Sequence, residues 1–167
     1  MSIDRRTERS LGMGLAVSLG LLSAAAAETP DVRARIAAPS SLAPGATAPV
    51  TVEMKLGENW HVNSHTPSEK FLIPTDVKLS ATTGTLSAVR YPRHVEKRFA
   101  FSERPLAVYE GTVRFETELS LPRDAAGSVS LTGTLSYQAC NDKQCFPPDK
   151  LALEARIVVS PAGASGH

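Results

Sequence analysis

Cys140 and Cys145 are the only two cysteines in the 167-residue chain, and four residues separate them in the stretch YQACNDKQCFPP. Thiols this close can close a disulfide, exchange it with another protein, or hold a soft metal. As a staple the pair returns little. The ring it closes spans six residues, for which the chain-entropy contribution is only about 2 kcal/mol. As an exchange site it has more in its favour. The ring sits between the end of a strand and Pro147-Pro148, which keeps a ladder from resuming at once. Strain in a small ring makes a disulfide easier to reduce, and exchange requires one sulfur to be open to a partner thiolate. Lys143 within the ring favours a thiolate and Asp142 opposes one. Spacing alone leaves staple and tool both open.

The amino terminus bears on which chemistry is accessible. Arg5, Arg6 and Arg9 precede an apolar run, Leu11 to Leu22, and then SAAAAETP, with Ala25 and Ala27 at small-residue positions before Glu28. That pattern is a secretory signal peptide over 1–27, and the run is shorter than the roughly 20 residues a bilayer span needs. Arg5-Arg6 raises the twin-arginine route, but no Phe-Leu pair follows, which favours the general secretory route. Removing 1–27 leaves 15 of the 18 basic and 15 of the 17 acidic residues. A neutral mature chain has no field to draw nucleic acid and no basic stripe for an anionic membrane. No later stretch is apolar enough to span a membrane. The expectation is a periplasmic protein, with secretion as the alternative, and a 28–159 domain large enough to bury a full core.

In an exported protein two cysteines are normally oxidised. That weighs against the Cys2His2 metal set that His61 and His65 would complete with Cys140 and Cys145, although its spacing is permitted. No Cys, His and Met cluster matches a copper site, and no G-x-S-x-G marks a hydrolase. The chain is read as having no metal and no cofactor. His94 and His167 are read as surface residues.

The elements that must position the cysteines are strands. Val50 to Leu56, Thr75 to Ala81, Thr112 to Leu121, Ser128 to Tyr137 and Leu151 to Val159 alternate apolar with polar residues, the period of half-buried strands. Shorter candidates are Val32 to Ala37, Trp60 to Asn63, Thr85 to Arg90 and Leu106 to Tyr109. Proline and glycine punctuate them densely, and no segment holds helical spacing for three turns. The pattern predicts an all-β, immunoglobulin-like antiparallel β-sandwich. Leu121 to Gly127 reads as a hairpin connection, and the tail 160–167 as disordered. Two stretches lack clear strands, Ser64 to Pro74 and Tyr91 to Pro105. The second carries Phe99 and Phe101 among charges, rings that either cover a site or close the end of the sandwich.

The stretch Tyr137 to Pro148 resembles the redox motif of the N-terminal domain of the bacterial thiol:disulfide interchange protein DsbD, Y-Q-x-C followed by C-x-P-P. The segments Gly57 to Ser64, Phe71 to Thr75 and Phe99 to Gly111 are similar to the same family, so the resemblance spans essentially the whole mature domain. It implies an immunoglobulin-like fold whose cysteine pair is reduced by a donor and then reduces periplasmic proteins. It assigns Cys145 as the thiol that joins partners and Cys140 as its resolver. It implies an aromatic cap, for which Phe99 and Phe101 are the candidates. Tyr137, Phe146 and Pro147 are the remaining partner-contact candidates. The full family protein continues into a membrane carrier and a thioredoxin-like module. The expected donor is therefore a separate membrane electron carrier of the DsbD or CcdA kind, or a thioredoxin-like protein. Periplasmic disulfide-containing proteins are the expected acceptors. The competing reading is a non-catalytic, protein-binding sandwich with a structural Cys140–Cys145 bridge.

Overall fold

Alternation in the sequence becomes burial in the fold. In the computed structural model, which describes residues 28–160, β3 (Thr47–Leu56) turns Ala48, Val50, Val52, Met54 and Leu56 inward. β9 (Thr112–Ser120) does the same with Val113, Phe115, Thr117 and Leu119. Between β1 (Val32–Ala37) and the two-residue β6 (Thr85–Leu86) they form a sheet in the order β1-β3-β9-β6. The facing sheet, β2-β12-β10-β5, is built on the long hairpin of β10 (Ser128–Tyr137) and β12 (Asp149–Val159). Its edges are β5 (Asp76–Ala81) and β2 (Ser41–Leu42), and β2 runs parallel to β12 while the other pairings described are antiparallel.

The inward faces of these two sheets share one apolar core. Val50, Phe115, Leu119, Val129, Leu131, Leu135 and Ile157 are fully buried in it. Thr117 is the polar exception in the middle of β9, and its hydroxyl donates to the Ser87 carbonyl at 2.7 Å. Gly133 takes an inward position of β10 because a Cβ there would run into the Lys78 carbonyl and Leu79 of β5. The expected all-β, immunoglobulin-like sandwich is the architecture observed.

A third sheet, with strand order β11-β4-β8-β7, lies at one end. It comprises β4 (His61–Asn63), β7 (Val95–Lys97), β8 (Leu106–Glu110) and β11 (Ala139–Cys140). One face, through Val62, Tyr109 and Ala139, joins the main core. The other is covered by the two stretches that lacked clear strands, and there Phe99, Leu106, Val108 and Leu72 form a separate small cluster. Gly111, with φ +64°, carries the chain from β8 into β9 in a single residue, a backbone state that β-branched neighbours avoid.

Two sequence expectations need correction. Leu121 to Gly127 is no hairpin: β9 pairs with β3 and β6, β10 with β12 and β5, so the segment crosses between sheets. Turn residues announce that a chain reverses but not which sheet receives it. Thr85 to Arg90 is strand only over Thr85–Leu86, with Arg90 returning as an isolated bridge to Glu116. The signal-peptide reading of 1–27 and the tail after Ser160 lie outside the described residues.

Candidate functional site

The cysteines occupy the connection that joins β10 to β12. Tyr137 faces Asp149 across the last rung of that long hairpin, and the chain between them folds into a smaller one. There Phe146 N–H donates to the Ala139 carbonyl at 2.8 Å and Asn141 N–H to the Gln144 carbonyl at 2.9 Å. Cys140 and Cys145 lie directly opposite between those two bonds. A non-hydrogen-bonded antiparallel pair is where side chains approach closest. The two form a disulfide, with their Cα atoms 4.0 Å apart. The tip is set by Asn141, whose side-chain oxygen accepts from the N–H groups of Lys143 and Gln144 at 3.0 and 2.9 Å. Asparagine makes such a turn because its short amide reproduces a backbone acceptor.

The two sulfurs stand in different surroundings. Cys140 is 1% exposed, locked into β11 against β4, whereas Cys145 lies on the exposed side of the hairpin. Of the two, Cys145 is the one open to solvent. The flanking residues hold this asymmetry. Gln138 donates to the Phe146 carbonyl at 3.2 Å and accepts from Asn63 at 3.3 Å, while Asn63 also donates to the Ile73 carbonyl at 3.0 Å. Phe146 packs edge-on against Trp60 with ring centroids 5.1 Å apart. Two segments distant in sequence, Trp60 to Asn63 and Tyr137 to Phe146, thus form one frame. Asn59, at φ 66°, makes the tight turn that delivers Trp60 and His61 to it. Asparagine tolerates that left-handed state better than most side chains.

His61 is the neighbour that sequence reasoning weighed only as a metal ligand. It faces Cys140 on one side and Glu110 of β8 on the other. Directly opposed residues of antiparallel strands share a face, so Cys140, His61 and Glu110 form one row across three strands. Phe99 stacks flat on the His61 ring at 4.0 Å, and Phe101 stacks behind Phe99 at 5.2 Å. Phe99 is buried and Phe101 is 43% exposed. The two rings therefore cover the outer face of the third sheet rather than the end of the main sandwich core. Burial lowers the His61 imidazole from 6.5 to about 4, against the opposing pull of Glu110 and Asp142. His65 stacks instead on Tyr91 at 3.6 Å, away in a different environment.

Among the other candidates, Pro147 is exposed and Phe146 half-buried. Tyr137 must leave the partner-contact set. It is buried in the main core, and its hydroxyl donates to Asp149 at 3.2 Å. Desolvation, with Asp149 adding to it, pushes that hydroxyl up to about 12. No grouping of three metal-ligating side chains occurs among the described residues, and no described helix is long and apolar enough to cross a membrane.

Comparisons with known proteins place these observations. No curated protein matches the chain in sequence. Among solved structures, the N-terminal periplasmic domain of ScsB from Proteus mirabilis is similar at 15% identity and a TM-score of 0.48, over 74% of this chain and 43% of that one. The N-terminal domain of DsbD from Neisseria meningitidis, in its reduced form, is similar at 15% identity and a TM-score of 0.39, over 64% of this chain and 74% of that one. The present chain thus spans less than half of the ScsB domain's length. The family described as "Thiol:disulfide interchange protein DsbD, N-terminal" matches residues 30–155, nearly all of the described sandwich and both cysteines. On that match the chain belongs to the family of DsbD N-terminal, thiol:disulfide interchange domains.

Proposed function

We propose that this domain is a periplasmic relay that passes electrons from a membrane carrier, or a thioredoxin-like protein, to oxidised periplasmic proteins through Cys140 and Cys145. The observation that carries the reading is the asymmetry of one disulfide: Cys145 is open to solvent and Cys140 is buried. The donor's thiolate attacks Cys145 Sγ, a mixed disulfide forms there, and Cys140 leaves as the thiolate. A second donor thiol then attacks the mixed disulfide and frees the reduced domain. Toward a client the order reverses: the Cys145 thiolate attacks the client's disulfide, and Cys140 then displaces the client by re-forming the bond to Cys145. Each cycle oxidises two thiols and reduces one disulfide. Phe99 and Phe101 act as the cap over the buried side, and Phe146 and Pro147 flank the sulfur that partners approach.

Cys140→Ser should accumulate disulfide-linked partner adducts on Cys145 in non-reducing electrophoresis of a periplasmic extract, and the doubly substituted protein should show none. The reduction potential of the native pair should lie among the redox enzymes, roughly −120 to −270 mV. A value below about −300 mV together with no adducts identifies the bridge as structural and the domain as a binding module.

A further inference from the structure

Cys140 and Cys145 face different obstacles in such a cycle. Cys145 is exposed to water. Cys140 is 1% exposed, and a thiol in apolar surroundings resists becoming the thiolate that the resolving attack needs. A proton acceptor within the buried face removes that obstacle.

His61 occupies that place. It lies directly across from Cys140 in the β11–β4 pair and on the same face. The ring is as buried as the cysteine, and neither Nδ1 nor Nε2 has a hydrogen-bond partner among the described residues. Leaving a buried polar group unpaired is costly, so a buried imidazole with both nitrogens unmet stands out among these residues. The closed disulfide has no proton to offer it; the reduced pair has one, on Cys140. The Phe99 stack fixes the plane of the ring.

The charges facing His61 come from three elements. Glu110 on β8 and Asp142 at the hairpin tip favour an imidazolium, while Lys97 on β7 opposes it and is itself paired with Glu110. Burial keeps the ring neutral at neutral pH while the disulfide is closed, which is the form able to accept.

We propose that His61 is the proton acceptor for Cys140 in the resolving step, an inference that rests on the exchange reading above. The Cys140 S–H proton passes to a ring nitrogen of His61. The Cys140 thiolate attacks Cys145 Sγ in the mixed disulfide, the Cys140–Cys145 bond forms, and the Cys145–client bond breaks. The client leaves as a thiolate, and its charge is balanced by the proton that His61 returns to solvent. Glu110, at the far end of the row, steadies the imidazolium while it exists.

Reduced protein mixed with one equivalent of dithiobis(nitrobenzoate) releases coloured thiolate in two steps, first on attack by Cys145 and then on ring closure by Cys140. In His61→Gln and His61→Phe the second release should slow at least about tenfold at neutral pH, a modest share of what a positioned base contributes. The first release should stay within about twofold, and the pH midpoint of the second should rise. An unchanged second step in a variant with a native near-ultraviolet circular dichroism spectrum overturns the assignment. Should both variants unfold, the native protein decides: by NMR the His61 ring should titrate at higher pH reduced than oxidised, and identical titrations overturn the proposal. A missing first release, in native protein and in Cys140→Ser, sinks the exchange reading instead. The ring titration then still decides the proton assignment.

Discussion

The body of the sandwich and the third sheet at its end are both built mainly from antiparallel strands but by opposite rules. In the body, Val50, Val52, Met54, Phe115 and Leu131 fill the space between two sheets, and the buried Thr117 hydroxyl is paired with the Ser87 carbonyl. At the end, the buried set is His61, Asn63, Ser64, Thr75 and Asn141. Asn63, Thr75 and Asn141 are hydrogen-bonded, but the His61 ring and the Ser64 hydroxyl have no partner among the described residues. Native interiors leave few polar groups unmet, and those that remain tend to mark chemistry rather than packing. The body is arranged for stability, and the end keeps an unpartnered imidazole across from Cys140.

Substitutions can widen or collapse this contrast. The largest effect belongs to the body. Phe115 is fully buried, edge-on to Tyr91 and Tyr109 at 5.5 and 5.8 Å. Phe115→Ala should cost about 3–5 kcal/mol in denaturant unfolding, with little change in the redox potential.

Next comes acid. The unfolded chain protonates His61 near 6.5, and the folded chain resists until about 4. Stability from this group is therefore complete above pH 6.5 and declines as pH falls toward 4, by up to about 3 kcal/mol. Unfolding curves of His61→Phe should lack that part of the acid dependence. If the native and substituted proteins lose stability in parallel, the end is not the acid-sensitive region.

Phe99→Ala should destabilise less than Phe115→Ala, by about 1–2 kcal/mol, because water can then reach the unmet nitrogens of His61. The same variant should lose its disulfide faster to a small thiol, measured by the rate of reduction. Equal costs for the two phenylalanines would erase the distinction between body and end.

The smallest effect carries the opposite sign. Ser64→Ala removes a buried hydroxyl without a partner and should raise stability by about 1 kcal/mol. A loss there would show that the hydroxyl is bonded in solution.

Much of the body was legible in the sequence because alternation is a local signal. Val32–Ala37 and Ser128–Tyr137 were read with the bounds they have in the fold. The strands missed, Ser41–Leu42, Val95–Lys97 and Ala139–Cys140, are two or three residues long and too short to show a period. The site divided along the same line. The cysteines were visible through their motif, but the approach of His61 to Cys140 depends on a two-residue ladder between segments far apart in sequence. No local pattern reports such a pairing. Tyr137, a partner-contact candidate through its place in the motif, sits at an inward position of β10 and is core.

The small hairpin that presents the cysteines is held by more than their bond. Its two backbone hydrogen bonds and the Asn141 turn would hold Cys140 opposite Cys145 with the sulfurs apart. A resolving thiol tethered this way acts at an effective concentration far above that of any thiol in free solution. On the exchange reading proposed above, adducts with partners should then be brief by construction, since the hairpin that would capture a protein would also release it.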